Sequence, residues 1–137
     1  MGYNVRQTWA DLRADAPNPY GELIAALNAR GIRYGYTGYE IAYPVIFLTG
    51  EKISLSPRAG PVAFDRLPRI TEQVRAQARV CYIFEDGSET DARFRALLSA
   101  RGASCERILT GRFAVYDGLP QEIAHAIPLP IGVVAER

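Results

Sequence analysis

The fold is decided by residues 80–102, which read VCYIFEDGSETDARFRALLSARG. Residues 80–84 are apolar, rich in β-branched and aromatic side chains, as is typical of a buried strand. A helix is predicted at residues 90–101, with Ser88 as its N-terminal capping signal and Gly102 as its C-terminal stop. The large apolar side chains of this helix lie on one face: Phe94, Leu97 and Leu98. The stretch therefore predicts a strand that leads into a helix.

The same patterns predict helices and strands on both sides of this unit. The further helices are expected at residues 20–30, 39–48 and 69–77, and the further strands at residues 32–36, 53–56, 105–110 and 112–117. The apolar run at residues 39–48 fits a buried strand or a buried helix. Pro44 favours the helix, because proline cannot donate a hydrogen bond to a central strand pair. Gly111 lies between the last two strands and indicates a hairpin.

The alternation of strands and helices predicts an α/β fold. We expect three layers: a mostly parallel, twisted sheet of about five strands, helices on both of its faces, and a C-terminal antiparallel hairpin. This domain is assigned to residues 20–119. Residues 1–19 are interpreted as a lead-in segment, in which Trp9 and Leu12 sit one helical turn apart, and residues 120–137 as a proline-rich tail.

Composition excludes several classes of protein. The chain has 137 residues, which suits one domain with its own core. Sixteen Lys and Arg residues oppose 15 Asp and Glu residues, and a net charge of +1 argues against nucleic acid as a partner. No run reaches the ~18 apolar residues of a membrane-spanning helix. The first residues carry neither a signal peptide nor a lipidation signal.

Cysteine and histidine are scarce. Cys81 and Cys105 are too few for a zinc site. Buried free thiols are the favoured interpretation, and a disulfide is the alternative if their strands are neighbours in an oxidising compartment. The single histidine, His125, has no Ser or Cys in an obvious relay and is interpreted as a surface residue. We therefore predict no catalytic residue, no metal and no cofactor.

The loops that follow the first three strands hold the candidate ligand-binding residues, because ligands of open parallel sheets bind beyond the carboxyl ends of the strands. These candidates are Tyr36, Thr37, Tyr39, Glu40, Arg58 and Asp86. If the sheet order brings the three loops together, they form a pocket with aromatic walls, one Arg and several carboxylates.

Each of these loops also has a purely structural interpretation. Gly35 and Gly38 precede a helix whose N-terminus suits an anion, but their G-x-x-G spacing is not the dinucleotide fingerprint and fits a tight turn equally. The dense tyrosines suit sugar stacking, or packing in the core and at the sheet edge. Glu85 and Asp86 form either an acid and base pair or a solvated turn before a helix.

Three segments resemble a known family. They are GIRYGYTGYEIAY at residues 31–43, FLTGEKI at residues 47–53 and RFAVYDGL at residues 112–119. Together they resemble the soluble C-terminal region of bacterial polytopic membrane proteins of the dolichyl-phosphate-mannose mannosyltransferase-like group, relatives of the aminoarabinose transferases. The resemblance covers residues 23–119. This chain has Gly38-Tyr39-Glu40 where the family pattern has Asp-Tyr-Trp, and it has Pro44 where a basic or polar residue is expected.

The resemblance implies a non-catalytic accessory domain. In such transferases the catalytic acidic residues lie in loops among the membrane helices, near a lipid-phosphate sugar donor, and this chain contains none of that part. We expect a periplasmic domain at a bacterial inner membrane, joined to a parent membrane domain and binding an acceptor, a glycan or a partner subunit. Two alternatives remain open: a free-standing cytoplasmic nucleotide- or flavin-binding protein, and an assembly module that makes contacts through the tail or the lead-in.

Overall fold

A computed structural model describes residues 19–57 and 68–125 of the protein. Within these ranges the helices are α1 Pro19–Ala29, α2 Tyr39–Thr49, α3 Pro68–Arg75, α4 Glu89–Ala100 and α5 Gln121–Ala124. The strands are β1 Tyr34–Tyr36, β2 Ser54–Ser56, β3 Cys81–Glu85, β4 Glu106–Thr110 and β5 Phe113–Asp117. The predicted helices and strands are present, with ends shifted by one or two residues. The predicted lead-in helix around Trp9 lies outside the described residues.

The five strands form one mixed sheet in the order β2-β1-β3-β5-β4. β1 is parallel to both β2 and β3, whereas β5 is antiparallel to both β3 and β4. The expectation of a mostly parallel sheet is therefore wrong. The reason is the hairpin. β4 runs in the same direction as β3 but does not pair with it, because β5 lies between them and runs in the opposite direction.

The composition of the two hairpin strands explains which one takes the inner position. β5 reads FAVYD and all of its residues are buried. β4 reads ERILT, is partly exposed, and forms the edge of the sheet, where charged side chains are favoured. The turn between them begins at Gly111, whose φ of 59° suits the first loop position of a two-residue hairpin.

Helix α2 contains a proline in its interior. Pro44 has no N–H, so it cannot bond the backbone carbonyl of Glu40 one turn earlier. The Tyr20 hydroxyl on α1 donates to that same carbonyl at 3.1 Å. A side chain from another helix thus replaces the hydrogen bond that proline removes.

The ends of two helices follow their sequence signals. The Ser88 side chain accepts a hydrogen bond from the Asp91 backbone N–H at the start of α4. After α2, Gly50 has a φ of 60°, and the N–H groups of Gly50 and Glu51 donate to the carbonyls of Phe47 and Ile46. This is the Schellman arrangement that glycine favours.

Buried side chains form two clusters. The first joins α3, α4 and α5 to the sheet: Tyr36, Ile70, Val74, Val80, Tyr82, Phe84, Phe94, Leu98, Ala114, Tyr116 and Ala124. The second joins α1 and α2 to the sheet: Leu23, Leu27, Ile32, Ile41, Ala42, Val45, Ile53, Leu55, Cys81, Ile83, Phe113 and Val115. Along β3 and β5, successive residues alternate between the two clusters.

Helix α5 differs from the irregular tail that the sequence suggests after Leu119. Pro120 stands just before the helix with a φ of −58°, where its missing N–H removes no helical hydrogen bond. Ala124 is buried in the first cluster. The prolines at positions 128 and 130 lie outside the described residues.

Candidate functional site

The polar groups at the carboxyl ends of the parallel strands bond to one another. The Thr37 N–H donates to the Ser56 carbonyl at 3.0 Å, and its hydroxyl donates to the Ile83 carbonyl at 2.7 Å. The Ser56 and Thr71 hydroxyls are 2.7 Å apart. Thr37 and Ser56 are fully buried. This edge of the sheet is therefore a packed polar layer in which Thr37 serves the fold.

Tyr36 and His125 form a second hydrogen-bonded group. The Tyr36 hydroxyl lies 2.6 Å from Nδ1 of His125, whose Nε2 lies 2.7 Å from the Gln77 carbonyl oxygen. Because a carbonyl only accepts, Nε2 carries a hydrogen, and Nδ1 of the neutral ring accepts from Tyr36. Burial raises the pKa of Tyr36 to about 12, although nearby Arg75 opposes the shift.

The interpretation of His125 as a surface residue is wrong. Its side chain is half-buried, and both ring nitrogens have protein partners. His125 follows α5 directly, and its ring connects the end of this helix to β1 and to the segment after α3. No local sequence pattern points to this role, because its partners are 89 and 48 residues away along the chain.

The first turn of α2 places a negative charge beside the loop that precedes it. A Cβ atom added to Gly38 would lie 2.7 Å from a carboxylate oxygen of Glu40, so that carboxylate rests against the glycine. Gly35 serves a different purpose: a Cβ there would lie 2.7 Å from the Cys81 backbone carbonyl, because β1 and β3 approach closely. Glu40 itself is exposed and the Tyr39 side chain is half-buried.

Glu85 and Asp86 do not act as a pair in this structure. Asp86 accepts from Arg107 at 2.8 Å, whereas Glu85 lies 3.9 Å from Arg112. Both side chains are exposed, which fits the solvated-turn interpretation. Arg58, the remaining candidate, lies outside the described residues.

The sequence reasoning missed a buried carboxylate, Asp91. Asp91 is fully buried, whereas the sequence pattern identifies only Ser88 nearby, as a capping residue. Its oxygens accept from the Tyr116 hydroxyl, from the Arg107 guanidinium at 2.9 Å and from the Gly87 N–H at 3.0 Å. Burial alone would raise the pKa of Asp91, but these hydrogen bonds outweigh it and hold the pKa below its ordinary value of 3.8.

Arg107 completes this network. It donates through Nε to the Tyr116 hydroxyl at 2.8 Å and through one terminal nitrogen to Asp86 and Asp91. Its side chain is 26% exposed. One guanidinium thus bonds two carboxylates and a phenol, and it connects α4 and the turn before it to the hairpin. This network is called the Arg107 clamp.

The two cysteines are free thiols. The disulfide alternative is wrong for this fold, because β5 separates β3, which carries Cys81, from β4, which follows Cys105. Cys81 is buried and Cys105 half-buried. Burial raises the pKa of the Cys81 thiol to about 12.

The exposed candidate surface lies on α2. Tyr39 and Tyr43 are one turn apart with ring centroids 5.2 Å from each other, and Phe47 follows one turn later with 69% of its surface exposed. An open groove of about 430 Å³ is lined by Tyr43, Ile46, Phe47, Gly50 and Glu51. These five residues are called the α2 surface.

Glu51 forms the charged rim of the α2 surface. Its carboxylate lies 3.2 Å from Arg69 at the start of α3, and both side chains are more than half exposed. Glu51 also adopts a φ of 68°, a left-handed conformation that costs a non-glycine residue roughly 1 kcal/mol. No other non-glycine residue in the two described ranges has a positive φ.

Other kinds of site are missing from the described part of the chain. Among residues 19–57 and 68–125, no three His, Cys, Asp or Glu side chains gather where they would hold a metal ion. Within the same ranges, each helix is too short or too polar to span a bilayer.

Comparison with known proteins gives no family assignment. No family model matches the chain, and no curated protein or solved structure matches it either. The α2 surface and the buried networks are therefore the features from which a function can be inferred.

Proposed function

We propose that this chain is a non-catalytic, extracytoplasmic accessory domain of a membrane-anchored glycosyltransferase-like protein. A parent membrane domain would hold it at the periplasmic face of a bacterial inner membrane, where it binds an acceptor, a glycan or a partner subunit. The supporting observation is that residues 31–53, which carry most of the family resemblance, also supply the α2 surface.

The buried and exposed residues of that segment have different explanations. Ile41, Ala42 and Val45 are buried in the second cluster, so the fold accounts for them. Phe47 is exposed, and Glu51 is exposed in a strained conformation. Neither residue belongs to the two buried clusters, and strained backbone is often retained for function. This contrast supports a binding role for the segment.

The polar side chains elsewhere support a non-catalytic role. The buried Tyr36 and Asp91 side chains and the half-buried His125 side chain bond to protein partners. A general acid or base must reach a substrate proton, and these groups are directed into the interior of the fold. The chemistry would then belong to the parent protein.

The nucleotide-binding alternative is disfavoured by the loop before α2. A phosphate at a helix N-terminus needs access to its backbone N–H groups. The Glu40 carboxylate rests against Gly38 at this end of the helix, where it would repel an anion. This observation favours the accessory domain over a nucleotide or flavin protein.

The three-layer arrangement belongs to the same proposal. Successive residues of β3 alternate between the two buried clusters, and side chains alternate between the two faces of a strand. We infer that α1 and α2 cover one face of the sheet and that α3, α4 and α5 cover the other.

The reading frame that encodes the chain tests the proposal. We expect several membrane-spanning segments encoded in the same frame as these residues. A frame without them would overturn the accessory-domain role. A thermal-shift screen against nucleotides and flavins provides the second arm, in which a stabilising ligand at micromolar concentration would support the alternative.

A further inference from the structure

We propose that the α2 surface binds an uncharged sugar ring of a glycan. The site gives a ligand class to the proposed function and rests on it. Its floor is aromatic: Phe47 is 69% exposed beside the half-exposed Tyr43 ring, and Ile46 extends the apolar area. The apolar C–H face of a pyranose packs on such rings, because an aromatic face presents negative charge to the positive C–H groups.

The row of aromatic rings is set by the helix. Residues four apart lie on the same side of a helix, so Tyr39, Tyr43 and Phe47 follow one line along α2. The Tyr39 ring packs edge-on against Tyr43 at an angle of 60°, which fixes the orientation of the Tyr43 ring. The floor is thus partly organised before a ligand arrives.

The rim supplies hydrogen-bonding groups for hydroxyls. The Glu51 carboxylate accepts and the Arg69 guanidinium donates, and the two groups lie 3.2 Å apart. Hydrogen bonds from ligand hydroxyls to an ionised carboxylate are stronger than those between neutral groups. A sugar with adjacent hydroxyls matches this pair of an acceptor and a donor.

The charge of the rim selects an uncharged ligand. Glu51 and Arg69 carry opposite charges that cancel, so the rim favours neither a phosphate nor a cation. An aromatic floor with a neutral, hydrogen-bonding rim matches a neutral polyol. A second exposed apolar side chain, Leu109, has no part in this site. It is 58% exposed on β4, at the opposite edge of the sheet from β2.

The Glu51 backbone is strained where its side chain meets the groove. The Schellman turn uses the backbone N–H of Glu51, which glycine or asparagine would supply with less strain. The carboxylate that occupies this position stands at the rim of the groove. The carboxylate pairs with Arg69 within the fold, and because both side chains are more than half exposed, ligand hydroxyls can also reach it.

Titration of the isotope-labelled 137-residue protein tests the site by NMR. Methyl β-D-glucopyranoside and maltotriose are the neutral probes, and glucose 6-phosphate is the charged comparison. We expect amide shifts confined to residues 39–51 and to Arg69 and its neighbours at the start of α3, with millimolar dissociation constants for ligands of this size. Phe47→Ala should weaken maltotriose binding about tenfold, and Glu51→Gln should weaken it several-fold.

Leu109→Ala is the control, since it removes another largely exposed apolar side chain and should leave binding unchanged. The absence of shifts at residues 39–51 at several tens of millimolar would overturn the site, as would full binding by Phe47→Ala. Tighter binding of glucose 6-phosphate would contradict the neutral ligand. Concentration-dependent self-association that Phe47→Ala abolishes, measured by light scattering, would replace the glycan with a second copy.

The two proposals fail separately. Sugar-induced shifts at residues 85–87 instead would move the glycan site and leave the accessory-domain role intact. A reading frame without membrane segments would remove that role, whatever the titration shows.

Discussion

The antiparallel half of the sheet (β3, β5 and β4) and the parallel half (β2, β1 and β3) are held together by different chemistry. In the antiparallel half, charged side chains connect the elements: Arg107 bonds Asp91, and Arg79 bonds Asp117 at 2.8 Å. In the parallel half, hydroxyls bond to neighbouring groups and Gly35 allows close backbone approach. The buried carboxylates are therefore used by the structure, whereas Phe47 on α2 exposes most of its surface.

The largest effect is expected from Asp91→Ala. It leaves the Tyr116 hydroxyl and the largely covered Arg107 without their buried carboxylate, which should cost about 3–5 kcal/mol in the free energy of unfolding. Asp86→Ala is the matched control, because Asp86 is an exposed partner of the same Arg107 and should cost about 1 kcal/mol or less. Urea unfolding of the three proteins measures both values.

The cost of Asp91→Ala should also depend on pH. Because the folded protein holds the pKa of Asp91 below 3.8, the stabilisation is present above that pH and is lost as the pH falls through the folded-state pKa. Equal costs for the two aspartate variants, or a constant gap down to low pH, would contradict the clamp.

Gly35→Ala should destabilise the parallel half of the sheet. Its Cβ would lie 2.7 Å from the Cys81 backbone carbonyl, which cannot move without disturbing β3, so a loss of about 1–3 kcal/mol is expected. In Gly38→Ala the close atom is the flexible Glu40 carboxylate, which can swing away, so this variant should lose less. Thermal unfolding compares the two glycines, and the close-approach explanation fails if Gly38→Ala loses as much.

Alkaline pH should test both halves at once. Burial raises the pKa of Tyr36 and of Tyr116 to about 12, from an ordinary value of 10.0. The unfolded chain therefore ionises first, and each tyrosine should remove about 1.4 kcal/mol of stability per pH unit between these values. Tyr36→Phe and Tyr116→Phe should each flatten the decline of the urea midpoint above pH 10, and an unchanged slope in both would contradict the prediction.

The smallest effect is expected from Phe47→Ala. Because most of the side chain is exposed, the change in the free energy of unfolding should stay within about 0.5 kcal/mol. Phe94→Ala, in the first cluster, should cost about 3–5 kcal/mol by comparison. A loss above about 1 kcal/mol in Phe47→Ala would show that Phe47 stabilises the fold, and it would contradict the contrast between the exposed α2 surface and the core.

Local signals predicted most elements of the fold. The strand and helix of residues 80–102, the hairpin at Gly111 and helix α2 despite Pro44 all follow from neighbours in sequence. The position of β5 does not, because the pairing of Tyr82 with Tyr116 joins residues far apart in the chain. A pattern of apolar residues specifies that a strand is buried, but it does not specify which strand lies beside it.

The candidate site is likewise predictable from sequence only in part. The tyrosine-rich segment was recognised from sequence, and part of it forms the α2 surface. The partners of Asp91 and His125 were not recognised, because a lone carboxylate or imidazole gives no sign of a distant phenol or carbonyl. The unusual φ of Glu51 is likewise invisible in a sequence.

The two-residue turn at Gly111 has a consequence for how the chain folds. β4 and β5 need only a short loop to meet, and hairpins form in microseconds. β1 reaches β2 only after α2 has formed a crossover, and it reaches β3 only across a longer separation in sequence. We therefore expect the hairpin to form early and the pairing of β1 with β2 and β3 to follow, so that the helix carrying the α2 surface docks on the sheet late.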